Sequence, residues 1–128
     1  PAGRLGLGYG MAGIQRFIEV FGHAHTADLF FSARIFGPAD AHHMGLVKQV
    51  FEADQFEAGV QAYVQQVCEN APLTLAAAKR AILELRKDAA QRDHALVQKM
   101  VQACFASEDY KEGRQAFAEK RTPRFQGR

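Results

Sequence analysis

The sequence lacks the features that would place it in a bilayer or around a metal. No apolar run approaches the ~20 residues needed to span a membrane. The first residues, PAGRLGLGYG, have neither the basic start nor the long apolar core of a secretion signal. There is also no initiator Met, so a processed or truncated product is expected. Histidine occurs five times but never as H-x-x-x-H. His23 and His25 are two apart and His42 and His43 adjacent, so neither pair shares a helical face, and no metal site is expected. Cysteine occurs only at Cys68 and Cys104, each on an apolar helical stripe. That leads us to expect buried, unpaired thiols in a reducing, cytoplasmic setting. Strong charge of one sign is absent too, with 16 Lys and Arg against 14 Asp and Glu. Such near neutrality argues against a nucleic-acid binder.

What is present is ordinary globular composition in 128 residues, 48% hydrophobic and 23% charged: one domain, or a large piece of one. The pattern is overwhelmingly helical. Ile14, Phe17, Ile18 and Phe21 recur at helical spacing up to Gly22, and Ala27, Phe30 and Phe31 mark the inner side of a helix from Ala24 to Ser32. SARIF and LVKQVF read as short strands, a hairpin-like element around PADAHHMG, with Pro38 opening a helical turn and Gly45 closing it. Asp54 with Glu57, and Asp88 with Gln91, have capping-box spacing. Phe56, Val60, Tyr63, Val64 and Val67 form one stripe, and Leu75, Ala78, Ile82 and Leu85 another after Pro72. Leu96, Val97, Met100, Val101, Cys104 and Phe105 make a face wider than one neighbouring helix needs, which predicts self-association. Ser107 can cap a last helix with Glu108 and Asp109 in its first turn.

GYGMAGIQRF spells G-x-G-x-x-G, yet a dinucleotide site needs a preceding strand and an acidic residue ending a second strand. Only seven residues precede Gly8, and Asp28 lies within a helical pattern, so no βαβ unit can be drawn. Gly10 and Gly13 instead flank a helix start, where free N–H groups favour anions or polarised oxygens. The segment from Lys111 to Arg128 carries six Lys and Arg against Glu112 and Glu119. Phe117 and Lys120, at i and i+3, would offer an apolar surface beside a cation.

Taken together, these segments resemble the C-terminal portion of the crotonase superfamily, the enoyl-CoA hydratase/isomerase family. PAGRLGLGYGMAGIQRF is similar to its P-E-x-x-L-G-x-x-P-G-x-G-G-x-Q-R segment, and FFSARIFGPADAHHMGLVKQVF to its T-G-x-x-x-x-A-x-x-A-x-x-x-G-L-V segment. NAPLTLAAAKRAI and ASEDYKEGRQAFAEKRTPRFQGR resemble two further blocks. The resemblance implies a mainly α chain, the helical part of a crotonase (ClpP/crotonase-like) fold without its β-rich N-terminal core. Residues 1–51 would end that core, and 52–128 would form a helical region for oligomerisation and CoA contact.

It implies an acyl-CoA thioester as substrate, with coenzyme A belonging to the substrate and no separate cofactor. It also implies oxyanion stabilisation by backbone N–H groups, a trimer or dimer of trimers, and no membrane or nucleic-acid partner. The Gly10 amide would hold the reacting water, and Phe117, Lys120 and Phe105 would lie near the adenine and phosphates. Two departures stand out. Ala2 occupies the place of the family's hydratase glutamate, and a methyl cannot transfer a proton. The oxyanion-hole segments and the other glutamate have no counterpart in these 128 residues, so the chain in isolation is expected to be inactive. The alternative is a non-catalytic acyl-CoA-binding or oligomerisation module.

Overall fold

A computed structural model describes residues 2–128; Pro1 lies outside the described residues. The chain divides into two compact units, Pro1–Phe56 and Glu57–Arg128.

In the first unit, α1 (Ala2–Leu5) is a single turn, closed where the Leu7 amide donates to the Ala2 carbonyl at 3.1 Å. Helix α2 (Met11–Ser32) begins after Gly10, whose carbonyl accepts from the Gly13 and Ile14 amides. It is bent at Gly22, where φ is 72° and ψ 174°. The bend brings the Phe17 and Phe30 rings to 5.1 Å. At 1.5 Å per residue a straight helix would hold those positions roughly 20 Å apart, so α2 doubles back on itself. The left-handed φ at Gly22 is what a residue without Cβ permits at little cost. The sequence-based stop at Gly22 is therefore real, although Phe31 points to solvent rather than inward.

Helix α3 (Pro38–His43) has Pro at its start. The Gly45 and Leu46 amides close it by donating to the His42 and Ala41 carbonyls. Arg34 ties α2 to α3 through Asp28 (3.2 Å) and Asp40 (3.1 Å). The two strand-like stretches form no ladder, and no strand occurs among the described residues. A strand needs a partner for its backbone donors, and the Leu46 and Val47 amides are spent on the Ala41 carbonyl, finishing α3.

The second unit holds all of α4 (Phe56–Cys68) but its first residue, then α5 (Pro72–Leu85), α6 (His94–Ala106) and α7 (Glu108–Glu119). Helix α5 packs along α6, and α6 on α7. Two capping boxes expected from spacing are absent. Asp54 falls inside a 3-10 turn (Ala53–Gln55) and bonds to Gln55, and Asp88 precedes another such turn. The cap of α6 is Asp93, whose carboxylate accepts from the Leu96 amide at 2.8 Å. Ser107 caps α7 as expected, accepting from Tyr110 at 3.0 Å. Between α5 and α6, the buried Glu84 accepts from Lys87 and from the Asp93 amide, and also pairs with Arg80. The Lys87 hydrogen bond, first among these contacts, holds the Glu84 carboxyl below its ordinary pKa.

The buried apolar side chains among the described residues are small: Ala33, Ala41, Ala77 and Ala116, with Met44 the one large member. The chain exposes 10163 Å². Two separate compact bodies of these lengths would together expose about 8,000 Å². Large apolar side chains are among what is exposed, including Met11, Phe31, Ile35 and Phe117. On α4, Tyr63, Val64 and Val67 are exposed, and Cys68 with them, so the expectation of a buried thiol there is overturned. Cys104 is half-buried and unpaired. No helix among the described residues is long and apolar enough to cross a membrane.

Candidate functional site

Two concavities carry three of the five residues singled out from the sequence, Phe105 and Phe117 in one and Ala2 in the other. In the second unit an open groove of about 720 Å³ runs between α5, the end of α6 and α7. Its small-residue side is Ala77, Ala78 and Ala81, and its opposite walls include Phe105, Phe117 and Phe125. Phe105 and Phe117 are thus brought to one place from two helices. Phe117 is 87% exposed, an apolar face that its own chain leaves uncovered.

Two residues that sequence reasoning did not single out as site residues complete the groove. The Tyr110 ring meets Phe105 edge to face at 5.3 Å, and the Arg114 guanidinium lies 5.9 Å from the Tyr110 ring centroid. They sit at i and i+4 on α7, a helical pairing visible in the sequence once Ser107 is taken as the cap. Such a row of aromatic faces ending in a cation suits a flat heteroaromatic ring bearing negative charge nearby.

Lys120 is not among the groove-lining residues. It is exposed and ends α7 in the left-handed region (φ 56°), with its amide returning to the Ala116 and Phe117 carbonyls. The side chain therefore leaves the helical face that the i, i+3 spacing with Phe117 implied.

The groove wall depends on the chain after α7. Residues 121–128 are strapped back onto that helix by two carboxylates. Asp109, 3% exposed, accepts from the Gln126 and Gly127 amides, each at 2.7 Å. Glu112 takes Arg121 in a two-pronged pair at 2.7 and 2.9 Å, and also accepts from the Arg124 amide. The Arg121 hydrogen bond is the main cause holding the Glu112 pKa down at about 2. The strap seats Phe125 against Gly113, where a Cβ would lie 3.4 Å from the ring.

The first unit holds the other two candidates. Ala2 opens α1 and lines a hollow of about 330 Å³ together with Tyr9, Phe17, Phe30 and Arg34. Gly10 follows Tyr9 as the N-cap of α2, exposed, in extended conformation (φ −74°, ψ 164°). The Gly10 amide donates no backbone hydrogen bond among the described residues, as a donor ahead of a helix start is free to do. His25 and His43 meet edge to face at 5.7 Å. No group of three or more metal-ligating side chains assembles among the described residues.

The whole sequence, residues 1–128, matches the family described as Enoyl-CoA hydratase/isomerase. The chain belongs to that family. It is 32% identical over its full length to the 2,3-dehydroadipyl-CoA hydratase of Escherichia coli, covering 50% of that protein. It is 30% identical to methylmalonyl-CoA decarboxylase of the same organism, over 96% of this chain and 48% of the relative. Among solved structures, an enoyl-CoA hydratase of Mycobacterium marinum superposes with a TM-score of 0.74 at 33% identity, over 98% of this chain and 50% of its own. The chain spans about half the length of the relatives it matches. With helices and no strand among its described residues, it corresponds to the helical portion of the crotonase fold.

Proposed function

We propose that these residues supply the coenzyme-A-contacting, helical part of an enzyme acting on acyl-CoA thioesters by stabilising an enolate oxyanion. The observation that carries this reading is the convergence of Phe105 and Phe117 on one groove, beside the Tyr110–Arg114 stack. There the adenine would lie against the aromatic rings, with Arg114 answering the phosphates from the groove wall and Lys120, as the family resemblance implies, from the end of α7 outside that wall. Coenzyme A arrives as part of the substrate, and the reading calls for no separate cofactor. At the acyl end, the Gly10 amide supplies a hydrogen bond to the reacting oxygen, and Ala2 stands where a proton-transferring carboxylate would be needed for efficient hydration.

A homo-oligomer, a trimer or dimer of trimers, is part of the same proposal. The uncovered face of α4 and the excess exposed surface support it, since apolar area of this extent is stabilised by burial against another surface. The unpaired thiols fit a cytoplasmic protein.

The test is Ala2→Glu in the complete polypeptide, assayed for hydration of crotonyl-CoA. Restoring a general acid–base at that position is expected to raise the rate by about 10²–10⁴. Brisk hydration by the unmodified protein, unaffected by Ala2→Glu, would show that the proton-transfer machinery lies elsewhere.

A further inference from the structure

The hollow lined by Ala2 has a chemically simple wall. Phe17, Leu29, Phe30, Ile35 and Phe36 are apolar, and two lining residues carry polar side-chain groups, Tyr9 and Arg34. Arg34 is committed, its guanidinium shared between Asp28 and Asp40, so that the cluster carries net negative charge. Tyr9 is uncommitted. Its hydroxyl has no hydrogen-bond partner among the described residues, and the side chain is held by its ring alone.

The ring meets Phe30 edge to face at 5.1 Å and Phe17 at 6.3 Å. It also passes so close to Gly13 that a Cβ there would stand 3.2 Å from Tyr9 Cδ1. The ring is thus held in place by its neighbours while the residue stays 47% exposed. It also immediately precedes Gly10, the amide assigned to the acyl end.

We propose that Tyr9 is the acyl-group contact of this protein. Its hydroxyl hydrogen-bonds an oxygen carried close to the thioester by a short, uncharged acyl chain, such as the 3-hydroxyl of a 3-hydroxyacyl-CoA. The assignment rests on the acyl-CoA reading above and deepens it. The Tyr9 hydroxyl orients the ligand by donating or accepting a hydrogen bond, and no proton transfer is assigned to it. The hollow's volume of about 330 Å³ and its apolar wall suit a short chain. A chain ending in a carboxylate would meet no uncommitted cation among the lining residues.

The experiment is calorimetric titration of the complete polypeptide and its Tyr9→Phe variant with CoA, 3-hydroxybutyryl-CoA and a 3-hydroxyacyl-CoA whose chain ends in a carboxylate. Phe retains the ring packing, and CoA affinity reports on the integrity of the rest of the site. Tyr9→Phe is expected to weaken 3-hydroxybutyryl-CoA about three- to tenfold, the range of one hydrogen bond, while CoA binds unchanged. The natural protein is expected to bind the carboxylated chain more weakly than the uncharged one. Unchanged 3-hydroxybutyryl-CoA affinity in the variant, or an equal loss for CoA itself, overturns the Tyr9 assignment while leaving the acyl-CoA reading standing. Equal or tighter binding of the carboxylated chain overturns the charge selectivity. Failure of the natural protein to bind CoA at all overturns both.

Discussion

Asp109→Ala removes the acceptor for the Gln126 and Gly127 amides, each 2.7 Å from a carboxylate that is almost wholly buried. Hydrogen bonds to a charged group contribute about 1.5–3 kcal/mol each, so roughly 3–6 kcal/mol would be lost if the strap stayed in place. It need not stay. Residues 121–128 can swing into water, which satisfies both amides again and caps the loss at the free energy of docking the strap. The contacts that then let go are Phe125 on Gly113, Gly127 on Pro72 and the Arg124 amide on Glu112.

We expect a cost of about 2–4 kcal/mol, less than the full value of the two bonds because release of the strap caps it. The sensitive assay is hydrogen exchange at the Gln126 and Gly127 amides, which should accelerate roughly 30- to 1,000-fold, since each 1.4 kcal/mol of lost local stability is a factor of ten. Asp109→Asn, which keeps one acceptor oxygen, should fall between. Exchange at both amides within about threefold of the natural protein would refute the view that Asp109 holds the strap.

Lys120→Gly separates conformation from contact. Glycine relieves a left-handed backbone that costs a side-chain-bearing residue about 1–2 kcal/mol. The second unit should therefore gain about 1 kcal/mol in denaturant unfolding while CoA affinity falls; unchanged affinity would remove Lys120 from the site. Glu112 gives a pH signature. Its carboxyl titrates at about 2 when folded against an ordinary 4.5, so the stability it adds is full above about pH 4.5 and is lost as pH falls toward 2. Protection of the Arg124 amide should decline across that window and lose the dependence in Glu112→Gln; a decline beginning near neutrality would point to another group.

The sequence exposed whatever is decided by neighbours within a turn or two. Helical stripes, the break at Gly22, the Pro38 and Pro72 starts and the Ser107 cap all follow from local chemistry, and all are present. Local spacing misled where two residues could serve the same purpose. Asp88 and Asp93 both precede α6, and Glu84 decides between them by drawing the Asp93 amide into the α5–α6 turn. The strap was illegible because Asp109 reaches 17 and 18 residues along the chain to backbone amides, which carry no residue signature. The strand reading of LVKQVF failed for a related reason: β-propensity states a preference, and pairing requires a partner. At the candidate site, Phe117 was singled out by its spacing with Lys120 and Phe105 as a CoA contact by resemblance; the two rings converge in space, while the Tyr110–Arg114 stack emerged only with the helix geometry.

Titration of the complete polypeptide with CoA reads out whether the α5–α7 groove holds coenzyme A. Saturable binding is expected, weakened by about tenfold or more in Phe117→Ala, since burying a largely exposed ring against the ligand contributes roughly 1.5–3 kcal/mol. Absence of saturable binding, or a Phe117→Ala variant that binds CoA as well as the natural protein, would contradict it.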